Sequence, residues 1–162
     1  MDSARRLLLI ERYEEAVRAV LVAIDHVPEA QLDAQPTPGA WSARETVHHL
    51  ADAEMAEALR LRSMLGENMP VLGSYDEAQY ARRLHYDRPI GAAREAFAAV
   101  ARANIDLLRS LSDDQWKREG IQNRPWRLTV ETWLEENVAH VQGHLMQILN
   151  AASGGRVIAD EA

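Results

Sequence analysis

Cysteine is missing from all 162 residues. Its absence removes disulfides, thiolate-ligated zinc and any thiol nucleophile supplied by the chain itself. Chemistry here has to use histidine, carboxylate, a metal or a borrowed group. Long hydrophobic runs are also missing, so no membrane span is expected. Basic clusters do not exceed a pair such as Arg5-Arg6 or Arg82-Arg83, and the net charge is −7. Nucleic acid is therefore not an expected partner, because neutralising phosphate requires clustered Lys and Arg. Met1 to Glu15 lacks the basic, apolar and small-residue order of a signal peptide, which makes a cytoplasmic address the expectation.

What is present is a well-spread hydrophobic content of 47%, enough in a chain of this length for one domain with a sizeable core. That domain is expected over 1–152, with 153–162 a flexible tail after the Ser153-Gly154-Gly155 stop. Apolar residues recur at helical spacing in four stretches. Ser3 to Val27 gathers Leu9, Tyr13, Val17, Val20 and Ile24 on one side. Ser42 to Leu65 opens with the capping-box pattern Ser42-x-x-Glu45. Ile90 to Leu111 follows Pro89, well placed at a helix start, and carries Asn104 inside its apolar stripe. Thr129 to Ala152 has no proline and repeats Leu134, Val138, Val141, Leu145 and Ile148. Ser74-Tyr75-Asp76-Glu77 reads as a second capping box opening a short helix to about Leu84, and Ser112 starts a further helical turn. Lys117 to Leu128 reads as a loop, and no segment shows strand alternation. The expectation is an all-α four-helix bundle with short extra helices in its connections.

The last helix carries the chemistry. His140 and His144 stand four residues apart, one turn above the other, about 5–6 Å between their Cβ atoms. That spacing suits one divalent ion held by two imidazoles, although such a pair on its own is as readily a feature of a helix surface. Trp133, Glu136, Asn137 and Gln147 lie in line with the pair and are polar or aromatic neighbours. A third ligand has to come from elsewhere, and the second long helix offers His48-His49. On the helical wheel His49 points away from the apolar centre and His48 lies nearer its edge, so spacing leaves the choice open. Small residues Thr46, Ala53 and Ala56 flank His49 and would leave room for a cleft. His26 and His85 have no partner pattern.

Trp41-Ser42-Ala43-Arg44-Glu45-Thr46-Val47-His48-His49-Leu50-Ala51-Asp52-Ala53-Glu54 resembles the helix-two signature of the DinB/YfiT-like metalloprotein superfamily. His140 and His144 with Gln147-Ile148 resemble its helix-four signature, and the approach Pro38 to Ser42 also fits. Tyr75-Asp76-Glu77, Pro89-Ile90 and Leu107 to Ser112 are similar to the YfiT branch, which includes bacillithiol S-transferases. The resemblance covers about residues 7 to 150. It implies a four-helix bundle, a homodimer and three histidine ligands, which fall on His140, His144 and the histidine directly before Leu-Ala-Asp, His49. It also implies zinc, nickel or a similar divalent ion with open positions, and a reaction in which a metal-activated low-molecular-weight thiol attacks an electrophile.

Three functions compete on that basis. The first is a metal-dependent thiol S-transferase acting on a small-molecule substrate, with the thiol arriving as co-substrate. The second is a metal-dependent hydrolase using activated water, and the third a non-catalytic, stress-associated metal-binding bundle. Asp52 and Glu136 are candidates to hold the outer nitrogen of a ligand histidine. Asn104 is a candidate substrate contact, set against a satisfied polar core group. Trp133, Tyr75 and Tyr80 read as packing residues.

Overall fold

A computed structural model of the chain describes residues 2–123 and 126–153. Four long helices build it: α1 (Ser3–His26), α2 (Ala43–Gly66), α4 (Gly91–Arg109) and α6 (Val130–Ala152). Two short ones, α3 (Glu77–Arg83) and α5 (Asp113–Trp116), sit in the connections, and a 3₁₀ turn spans Glu29–Gln31. The tail expected over 153–162 lies outside the described residues except for Ser153.

The long helices begin where a side chain can take over their orphan N–H groups. Ser42 Oγ accepts from Glu45 N while Glu45 Oε2 accepts from Ser42 N at 2.8 Å, and Thr129 pairs with Thr132 in the same reciprocal way at the start of α6. Each such cap stabilises a helix by about 1 kcal/mol. At the other end of α2, Arg118 donates to the free carbonyls of Met64, at 2.6 Å, and Glu67, where a cation also suits the helix dipole.

Around the bundle the long helices touch in the ring order α1, α6, α2, α4, so α1 faces α2 across the core. That order requires a long crossover after α1. Leu32 plugs this crossover into the core at 2% exposure, and Arg44 ties it to α2 through Asp33 at 2.7 Å. The core is mostly apolar, with Tyr13, Val20, Leu61, Phe97, Trp133, Leu134, Val141 and Ile148 buried. Fully burying an aliphatic side chain of this kind contributes about 1.5–3 kcal/mol.

Two expectations are corrected. Residues 117–128 are not a loop: β1 (Glu119–Asn123) and β2 (Trp126–Thr129) pair antiparallel, with Gly120 opposite Leu128 and an irregularity between Ile121 and Asn123. The segment Pro70 to Leu72 joins their edge, Ile121 N donating to Pro70 O and Leu72 N to Ile121 O, both at 2.8 Å. The strands are short, and their pairing is fixed by packing on Leu72 rather than by alternation. The second concerns α3, which is capped by Asp76, whose side chain accepts from Gln79 N at 2.9 Å, not by Ser74. No helix among the described residues is long and apolar enough to cross a membrane.

Candidate functional site

α2 and α6 are neighbours in the ring, and their facing sides bring three histidines to one point. His140 and His144 project one turn apart from α6. Their Nε2 atoms lie 3.0 Å apart, and His49 Nε2 from α2 lies 3.2 Å from His140 Nε2. One ligand atom from each of the three falls within 4.8 Å of the others. Two nitrogens bound at about 2.0–2.1 Å to one cation, at tetrahedral or octahedral angles, stand about 2.8–3.4 Å apart. A proton shared between rings can satisfy one such contact, whereas a cation satisfies three lone pairs at once.

Burial favours the neutral form of all three rings. Burial, with the neighbouring His144 and His140 second, pushes His49 down to about 3. Burial and then His144 push His140 down to about 4, and burial lowers His144 against the opposing pull of Gln147 and Glu77. All three are neutral near pH 7. Gln147 Oε1 lies 2.7 Å from His144 Nδ1; an amide oxygen can only accept, so the proton sits on Nδ1 and the lone pair on Nε2 faces the cluster. This is the role proposed for Asp52 or Glu136, and for His144 it falls to Gln147.

On α2 it is His49, not His48, that stands in the histidine cluster. It is fully buried, packed beneath the Trp41 ring at a centroid distance of 4.8 Å. The wheel misplaced it because the crossover before α2, ending in Trp41, covers a face that a lone helix would expose. His48 turns the other way: its Nε2 reaches Arg88 O at 2.9 Å, and its ring stacks on Tyr86. His26 is exposed and bonds Val22 O in its own helix, and His85 is exposed on a backbone with φ 54.

The other candidates separate. Asp52 accepts from Tyr86 Oη at 2.8 Å and meets no cluster histidine among the described residues. Asn104 is a satisfied core group, donating to Glu54 Oε1 at 2.7 Å and accepting from Arg62 at 2.7 Å. Glu136 lines a cleft of about 320 Å³ that opens beside His140, with Trp133, Asn137, Glu57, Tyr75 and Glu77 around it. Trp133 is buried and donates Nε1–H to Glu57 Oε2 at 2.7 Å. Tyr75 and Tyr80 pack on each other at 4.6 Å.

Sequence reasoning missed a buried polar network in the middle of the bundle. Tyr13 Oη and Asn104 Nδ2 both donate to Glu54 Oε1, and Asn137 Nδ2 donates to Tyr13 Oη at 3.2 Å. Burial raises the Glu54 carboxyl to about 7. A signal existed. Glu54 continues the Val47, Leu50, Ala51, Ala58, Leu61 stripe of α2 as Asn104 continues that of α4, and two polar residues in facing stripes call for each other.

Three neutral imidazoles aimed at one point on the lip of a cleft form a ligand set that could hold a metal ion, of the kind helical bundles build from facing helices. Residues 12–148 match the DinB superfamily, and the chain belongs to it. It is 31% identical over 109 residues to a "Putative metal-dependent hydrolase" of Oceanobacillus iheyensis, covering 67% of this chain and 63% of that protein. The chain thus spans less than two thirds of that relative's length. It is 29% identical over 144 residues to "Putative metal-dependent hydrolase YfiT" of Bacillus subtilis, covering 86% and 79%. The solved structure of YfiT from Bacillus subtilis, described as "a probable metal-dependent hydrolase with an unusual four-helix bundle topology", matches with a TM-score of 0.87 at 25% identity, over 94% of this chain and 89% of that one.

Proposed function

We propose that this protein is a metal-dependent enzyme whose divalent cation, zinc or nickel, is held by His49, His140 and His144. The observation that carries the reading is the meeting of three Nε2 atoms at 3.0 and 3.2 Å. A cation with open positions, as a three-histidine shell leaves it, lowers the pKa of a bound thiol or water and so supplies a nucleophile near neutral pH. Gln147 keeps the His144 lone pair directed inward, Trp41 excludes water from the His49 side, and the cleft beside His140 admits a small molecule.

Thiol S-transfer is the first reading: the thiol comes on a low-molecular-weight co-substrate, because the chain has no cysteine of its own, and the electrophile enters through the cleft. Hydrolysis by activated water is the second, and the names carried by the Oceanobacillus and Bacillus relatives favour it. We assign Asp52 and Asn104 to positioning and packing and leave Glu136 among the carboxylates that line the cleft. An apolar strip of Met55, Leu59, Val71 and Tyr80 stands exposed on the outer side of α2 and the connection after it, and it supports pairing of two copies in a homodimer. A cytoplasmic enzyme with no nucleic-acid partner fits the charge.

The test is metal analysis of untagged protein followed by two panels with the metal found. Thiol-dependent consumption of an electrophile supports transfer, and ester or amide cleavage without thiol supports hydrolysis. Inactivity in both panels at full metal occupancy would return the chain to a non-catalytic metal-binding role.

A further inference from the structure

The cluster histidines differ in what holds their outer nitrogen. His144 Nδ1 is held by Gln147 Oε1 at 2.7 Å. His49 Nδ1 is buried and has no hydrogen-bond partner among the described residues. With Nε2 turned to the cluster, a neutral ring carries its proton on Nδ1, so this N–H is buried without an acceptor. An imidazole that binds a metal almost always gives its other N–H to a carboxylate, a carbonyl or water, which sets the angle of the ring. His49 lacks that device.

The side chains of α2 in reach of the ring are committed elsewhere. Residues three and four positions away share a helix face with His49: Glu45, Thr46, Asp52 and Ala53. Glu45 Oε2 accepts from Ser42 N, Thr46 Oγ1 donates to Ser42 O, and Asp52 Oδ2 accepts from Tyr86 Oη, each at 2.8 Å. Ala53 has no polar side-chain atom. The ring that meets His49 from outside the cluster is Trp41, with centroids 4.8 Å apart and planes inclined at 59°. Trp41 is itself braced. Tyr86 stands edge-on to it at 6.4 Å and 80°, and Tyr86 is anchored by its bond to Asp52. Ring pairs at these separations attract and favour a fixed tilt.

Resting on the reading of the three histidines as a metal site, we propose that Trp41 is the positioning residue of His49: its ring, braced by Tyr86 and Asp52, sets the angle of this ligand in place of a hydrogen bond. The consequence is chemical as well as geometric. A ring N–H without an acceptor leaves the ligand less basic, so His49 is a weaker donor than His144 and leaves a bound ion more acidic. Asp52 thereby acts on the site through two aromatic rings without touching a ligand.

The experiment uses the full chain loaded with cobalt(II), whose paramagnetism moves the N–H protons of the ligand rings clear of the bulk proton spectrum. The His144 signal is the one that shifts in Gln147→Ala, and the His49 signal is the buried one that exchanges slowly with deuterium. Trp41→Ala is expected to move the His49 signal alone and to weaken cobalt binding about tenfold, the lower end of what losing an outer partner costs, read by competition with a chelator. Trp41→Phe, which keeps a flat ring, is expected to recover most of that affinity. Trp41→Leu, which keeps only apolar bulk, is not. A role in folding alone would lower the melting temperature of the metal-free protein and leave the signals and the affinity of the folded chain where they are. That result overturns the proposal, as does a Trp41→Leu variant that binds cobalt like the wild type, or a shift spread equally over the ligand signals. If Trp41→Ala does not fold, Trp41→Phe decides through the spectrum: replacing indole by phenyl has to move the His49 signal and no other. Failure of the wild type to take up cobalt is a different result: it removes the histidine reading first and this inference with it.

Discussion

Glu54 is a carboxyl buried in the middle of the bundle, at 2% exposure. Two donors, Tyr13 Oη and Asn104 Nδ2, converge on its Oε1 and favour the carboxylate, yet burial outweighs them and lifts the group from 4.5 to about 7. A carboxyl whose folded pKa lies above its unfolded value adds stability below about pH 4.5 that is lost as the pH rises through about 7. Glu54→Gln keeps the shape and the acceptor without the charge. The wild type is therefore expected to lose on the order of 3 kcal/mol relative to this variant between pH 4.5 and 8, read from paired denaturation curves. A difference independent of pH would show that the carboxyl does not titrate in the fold. The cluster histidines run the opposite way: held at about 3 and 4 for His49 and His140, they support the metal-free fold above pH 6.5 and withdraw that support as the pH falls. Comparing the two proteins at each pH cancels this slope. His144→Ala belongs at the same scale. It should abolish metal retention, measured by elemental analysis after dialysis, and leave the far-ultraviolet helical signal nearly intact, because His144 borders the core rather than filling it. Stoichiometric metal in that variant would sink the three-histidine site.

Among the elements, the helices were legible and the hairpin was not, for a physical reason. Helices declare themselves locally: Ser42 and Thr129 accept from N–H groups three residues on, and the apolar stripes recur at 3.6 residues. Gly120, Ile121 and Leu128 become a hairpin only because Pro70 to Leu72 arrives beside them from a distant part of the chain. The same contrast holds at the site. His140 and His144 are a spacing and can be read, whereas the burial of His49 depends on Trp41 folding back over it. Gly120 shows how tight the non-local packing is: a Cβ there would stand 2.9 Å from Leu72 Cγ and Cδ2, inside a buried side chain. Gly120→Ala is expected to cost about 1–3 kcal/mol through overpacking, visible as a lower urea midpoint. An unchanged midpoint would mean that Leu72 has free room to move, and that the hairpin does not depend on this contact.

For the whole molecule, the ring order α1, α6, α2, α4 leaves α2 between two partners and with its outer face toward solvent. Met55 and Leu59 stand one turn apart on that face at 41% and 68% exposure, and Val71 and Tyr80 extend the patch at 77% and 38%. Leu59, Val71 and Tyr80 line one shallow groove, so the apolar atoms form a continuous patch. A twofold axis through α2 would bury the same strip on both copies, which is how a self-complementary interface arises. A stable dimer of standard size buries about 1,200–2,000 Å² in total, with apolar side chains at its centre. The expected result is a sedimentation mass of two chains at micromolar concentration, and dissociation to monomers in Leu59→Glu, which forces two carboxylates together at the axis. His49, on the inner side of α2, is fully buried within one chain, so the monomeric variant should still retain one metal ion per chain. A wild type that sediments as a monomer would dispose of the dimer while leaving the histidine cluster untouched, since every atom of that cluster comes from a single chain.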